Sequence, residues 1–343
     1  MNRVVNFLLI FCINAALTYA YINFVVGTFD VNELWNEHGT DHSSTNFLYD
    51  MMQYNLGASV VSIEEAVIRL AAGSTGIHAV ILGLMFESDT LYSGILVNSF
   101  FVALTFQLFY RNVITSLLLY ITLAPFFLYY SVGWTKEIIL TLAYIFFLSS
   151  SQTNSRVHLY ISFIVSLLSR PQFTPLFIVS ALTKNITKKR IIFFILMVIA
   201  VSPIWLGIMP SAYVDSAGVY YNENGGQGMS VYTDFLKTNV PVFSIFGYLA
   251  AVIKLYYEPL SALFYSIYDV YPLIEFYVQI VFLITLIRSR FVLFENSAIF
   301  NIFIFTNIFI SSLPFTHFRY LLPLLVTAII YSVSVAPCRE KLK

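Results

Sequence analysis

The chain has 343 residues, 59% of them hydrophobic and only 10% charged, with a formal net charge of zero. A soluble domain carries about 25% charged residues, so this composition excludes an ordinary water-soluble globule, and the charge balance excludes the basic field of a nucleic-acid-binding protein. Cys12 and Cys338 fall in the first apolar run and the last polar tail, which leaves neither a disulfide framework nor a cysteine zinc cluster to expect.

The first apolar run covers 4–26 and is long enough to cross the hydrocarbon core. Arg3 ahead of it and Thr18-Tyr19-Ala20 inside it resemble a signal peptide with its cleavage site, but the length of the run favours an uncleaved first span. A large region over 27–91 follows. It holds Asp30, Glu33, Glu37, His38, Asp41, His42 and Asp50, then an amphipathic helix expected over 60–72 and a short apolar piece at 77–86. Spans are expected next at 92–110, 113–131 and 137–150. Ser169-Arg170-Pro171 divides the following runs, 157–169 and 172–183, into a hairpin of short helices, an element tolerated at membrane depth only when packed against protein or a wet cavity. A span at 191–209 leads to a second large region, 210–270. It opens with the Gly/Asn-rich 222–228 and continues through Tyr- and Phe-rich segments expected to lie along the interface. Runs at 271–287, 296–313 and 320–336 complete the series. The expected fold is therefore an all-α polytopic membrane protein, a single transmembrane domain over 1–343 with about ten transmembrane helices and two large outer loops. No internal repeat is visible, which disfavours an inverted-repeat transporter.

Basic residues orient these spans. Clusters at 184–190 and 288–290, with Arg3, Arg111, Arg156 and the C-terminal Arg339, Lys341 and Lys343, place both termini in the cytoplasm. Arg69, Lys136, Arg170, Lys237, Lys254 and Arg319 run against that trend on the outer side. Lys136, Arg170 and Arg319 lie at outer turns between three helix pairs. An ionisable group at such depth is a functional hypothesis by default. The competing reading is that each side chain reaches to lipid headgroups, or that Lys136 pairs with Glu137. Three cations at one depth favour a shared anionic ligand, and a polyprenyl phosphate or pyrophosphate fits, with its tail between helices and its head on Arg and Lys. Glycosyl transfer from such a carrier also needs a carboxylate to take a hydroxyl proton. Asp30 and Asp41 are the expected catalytic carboxylates, against the reading of a merely hydrated acidic loop. His38 and His42 are spaced for a helical metal site, but Gly39 between them argues against a rigid helix, so no metal or other cofactor is expected.

An acidic loop after the first span, Lys136-Glu137 after a hairpin turn, Arg170 at the next outer turn and Arg319-Tyr320-Leu321-Leu322-Pro323 near the end resemble bacterial polysaccharide-assembly membrane proteins. These are the GT-C-type glycosyltransferases and the Wzy-type O-antigen or capsule repeat-unit polymerases. The layout extends over nearly the whole chain, although the motifs are short. The chain departs from GT-C enzymes in separating Asp30 from Glu33 and in ending just after the tenth span, and from the polymerases in having only Lys237 and Lys254 as cations in 210–270. The resemblance implies a GT-C-like glycosyltransferase of the bacterial inner (cytoplasmic) membrane. Its substrates would be polyprenyl-linked sugars at the outer face, held at Lys136, Glu137, Arg170, His317, Arg319 and Tyr320. A repeat-unit polymerase is the favoured form. The alternatives are a GT-C transferase adding one sugar from a polyprenyl monophosphate and a flippase for lipid-linked sugars. Membrane lipid and other polysaccharide-assembly proteins are the expected partners.

Overall fold

The structure is a computed structural model describing residues 2–21, 23, 90–109, 112–132, 135–206, 270–289, 292–312 and 318–340, with isolated positions between 246 and 260. The expected amphipathic helix over 60–72, the loop at 222–228, Asp30, Asp41 and His317 lie outside the described residues. Among the described residues the regular structure is all helical. Ten α-helices run in chain order: α1 Asn2–Tyr21, α2 Thr90–Phe109, α3 Val113–Ser131, α4 Lys136–Thr153, α5 Arg156–Ser169, α6 Thr174–Leu182, α7 Lys188–Leu206, α8 Val270–Arg288, α9 Ser297–Ser312 and α10 Leu322–Glu340. Each coincides with one of the apolar runs.

Local chemistry sets the breaks. Asn112 caps α3 by accepting from the Ile114 amide at 3.0 Å. α4 ends at Asn154, whose left-handed backbone (φ 54°) turns the chain straight into Ser155, the N-cap of α5. Pro171 opens the 3-10 turn Pro171–Phe173 that separates α5 from α6.

α4 is the axis of the packing. Its residues from Lys136 to Ser150 are all buried, as expected of a helix apolar all round. Helices α2, α3, α5, α9 and α10 pack against it, α1 rests on α2 and α3, and α8 lies against α10 and α3. Phe126, Phe127, Tyr144, Phe147, Phe173 and Phe177 fill the core between them. Polar side chains tie α1 to this core. Asn14 donates to Ser99 Oγ (2.9 Å) and Ser131 Oγ (3.0 Å) and accepts from the Tyr120 hydroxyl (3.0 Å), and Asn6 donates to Ser116 Oγ (2.9 Å).

Two helices, Arg3–Tyr21 and Val113–Ser131, are each long and apolar enough to cross a membrane. Shorter apolar helices accompany them, and the nine residues of α6 rise only about 13 Å.

Candidate functional site: a carboxylate shared by two arginines

The α3–α4, α5–α6 and α9–α10 turns meet at one end of the bundle. Glu137 occupies the first turn of α4, where the helix N-terminus favours a negative charge, and it is 1% exposed. Its Oε1 accepts from Arg170 Nη2 at 2.8 Å and from Arg319 Nε at 2.9 Å. One buried carboxylate oxygen thus gathers guanidinium groups from two separate turns.

The backbone holds each arginine in place. Arg170 closes α5 with its amide donating to the Ser166 carbonyl (2.8 Å), and its own carbonyl accepts from Phe173 N (2.9 Å). Arg319 is the middle residue of the 3-10 turn Phe318–Tyr320, whose Phe318 carbonyl accepts from Leu321 N at 2.8 Å. Aromatic faces set the guanidinium planes. Arg170 Cζ lies 4.6 Å from the centre of the Tyr320 ring and Arg319 Cζ 6.0 Å from that of Tyr130. The Thr135 hydroxyl donates to the Tyr130 carbonyl and ties the end of α3 to the start of α4. Lys136, next to Glu137, is also buried.

Of the residues singled out from sequence, Glu137, Arg170, Arg319 and Tyr320 form one constellation, and Lys136 begins the helix that carries it. A Lys136–Glu137 pair is the reading that competes with a shared anionic ligand. In the structure Glu137 Oε1 accepts from the two arginines, which the convergence of the turns brings from distant parts of the chain. Glu137 Oε2 is buried with no hydrogen-bond partner among the described residues. The basic residues assigned to the opposite end differ in kind: Arg156, Lys184, Lys189, Arg190 and Arg288 are all exposed.

A second buried polar group, none of whose residues is among the candidates above, lies on α8 and α9. Glu275 and Gln279 lie one turn apart on α8, and Asn307 and Ser311 one turn apart on α9, all buried. The available signal was polar residues four apart inside an apolar run. In comparisons with protein-family models, curated proteins and solved structures, nothing matches this chain.

Proposed function

We propose that the chain crosses a membrane as a helical bundle and transfers glycosyl groups from polyprenyl-linked sugars, with the donor's phosphate bound where Arg170 and Arg319 meet. One observation carries the reading: two arginines from separate turns are oriented by a single buried carboxylate and two aromatic faces. A planar guanidinium fork suits phosphate oxygens, and fixing its orientation in advance removes reorganisation when charge develops on a leaving phosphate. Glu137 acts by positioning the arginines. A carboxylate held between two guanidiniums is a poor proton acceptor, so the base belongs elsewhere, with Asp30 or Asp41 as the sequence candidates.

Exposed apolar surface supports the membrane part of the reading. Leu8 on α1, Leu118 on α3, Phe193 on α7 and Ile287 on α8 are more than half exposed. Large apolar side chains exposed on several helices are what a lipid-facing surface provides. The favoured reaction joins repeat units: a sugar hydroxyl of one lipid-linked unit attacks the anomeric carbon of another. The new glycosidic bond forms as the bond to the pyrophosphate breaks, and the hydroxyl proton goes to the carboxylate. Purified protein supplied with lipid-linked repeat units should release polyprenyl pyrophosphate and lengthen the glycan. Failure of both, with intact folded protein, overturns the proposal. Deleting the gene separates its two forms: single capped units surviving without polymer support a polymerase, and full chains lacking one branch support a single-sugar transferase.

A further inference from the structure

Helices α8 and α9 are consecutive, separated by the short 3-10 turn Val292–Glu295, a connection length that goes with antiparallel neighbours. Phe282 and Phe303 stack between them with ring centres 5.9 Å apart. From that contact, Gln279 and Asn307 lie about 4.5 and 6 Å further toward the end of the bundle that carries Arg319, and Glu275 and Ser311 about 10 and 12 Å further. The four side chains therefore share one stretch of depth. Tyr256 connects the two helices there. Its backbone carbonyl accepts from Gln279 Nε2 at 2.7 Å, and its hydroxyl meets the Asn307 side chain. The Asn307 amide also donates to the Phe303 carbonyl at 2.8 Å.

Both amide groups thus spend their nitrogens on protein, while their oxygens remain. Gln279 Oε1, Asn307 Oδ1 and Ser311 Oγ are buried with no hydrogen-bond partner among the described residues. Glu275, also buried, lies one turn from Gln279 on the same helix. Buried acceptors in apolar surroundings are costly unless a donor reaches them. The Tyr256 ring meets the ring of Phe318 edge-on at 6.1 Å. Phe318 immediately precedes Arg319, so this ring contact links the strip to the turn that carries that arginine.

We propose that this strip is a sugar subsite, in which ligand hydroxyls donate to Gln279 Oε1, Asn307 Oδ1 and Ser311 Oγ while the Tyr256 and Phe318 rings offer an apolar edge. It rests on the reading of Arg170 and Arg319 as a phosphate site, and adds that the sugar next to that phosphate lies between α8 and α9. Hydroxyls fit better than a metal cation, because the strip adjoins a guanidinium that repels a positive ligand.

Calorimetry on the full-length chain in detergent tests this, with farnesyl pyrophosphate as one probe and farnesyl pyrophosphate carrying a hexose or N-acetylhexosamine, taken from a panel, as the other. At least one sugar should tighten binding about tenfold over the bare pyrophosphate, a gain expected of a few hydrogen bonds. Gln279→Leu and Asn307→Leu should each erase most of that gain and leave binding of the bare pyrophosphate intact, which also shows that the variants fold. Arg319→Ala should weaken both probes alike. Equal binding of bare and sugar-bearing probes, or a gain that survives both leucine variants, overturns the subsite alone. A gain that vanishes when choline replaces sodium assigns the strip to a cation and also overturns it. If neither probe binds folded protein, the phosphate reading falls and the subsite with it.

Discussion

Arg170 and Arg319 contact Glu137 Oε1 through different nitrogens, Nη2 and Nε, so each guanidinium turns a different edge to the carboxylate. That arrangement serves an anion with several oxygens, and it makes the two side chains non-redundant. Arg170→Ala and Arg319→Ala should each lower polymer formation about a hundredfold, the loss expected for one charge-assisted contact in a dry site. Protein abundance should hardly change. Lysine at either position should rescue in part, since it keeps the charge and loses the planar fork. Arg288, exposed at the other end of the bundle, should tolerate alanine with little loss. If all of these arginines only anchor helices, the three alanine variants will be alike and mild, and wild-type polymer length in both site variants rejects the phosphate role. Glu137 should behave differently. Removing it takes the shared carboxylate from Arg170, which is buried, and from Arg319, which is partly exposed, so Glu137→Ala should cost about 3 kcal/mol of stability, seen as a lowered thermal midpoint in detergent. An unchanged midpoint would show that the arginines do not depend on this carboxylate.

The helices show which signals a sequence carries. Apolar runs located all ten, because a helix that buries or greases every face needs a continuous apolar stretch, and Ser169-Arg170-Pro171 marked the break between α5 and α6 through the restrictions proline imposes on its neighbourhood. The partners of Glu137 were not legible. Local spacing offers Lys136, whereas Arg170 and Arg319 arrive through the packing of three turns, which leaves no periodic trace. Asn6 and Asn14 on α1 were legible in principle, as amides eight residues apart on one side of an apolar helix. Their value is interhelical: Asn14 alone bridges α1 to both α2 and α3. Asn14→Leu should therefore destabilise the protein by about 1 kcal/mol, the scale of interhelical hydrogen bonds in lipid. Reversible unfolding in mixed micelles would measure it, and a variant as stable as the parent would mean that apolar packing alone holds α1.

For the whole molecule, the convergence at Glu137 bears on orientation. The α3–α4, α5–α6 and α9–α10 turns must share one side of any membrane the bundle crosses, because Arg170 and Arg319 reach the same carboxylate oxygen. The exposed basic residues of the α4–α5, α6–α7 and α8–α9 turns lie at the other ends of these helices, and the positive-inside rule predicts that side to be cytoplasmic. Reporter fusions after Lys189 and Lys343 should accordingly read as cytoplasmic, while fusions near Asp41 and Asn224 should read as outside. The fusion near Asn224 is the sharper test. Helix α7 starts beside the basic cluster at 184–190 and α8 ends at Arg288, so the expected topology assigns the segment between them to the side of Arg170 and Arg319. A cytoplasmic reading there would put the arginine pair on the same side as the basic clusters, where lipid-linked sugars presented at the outer face could not reach it.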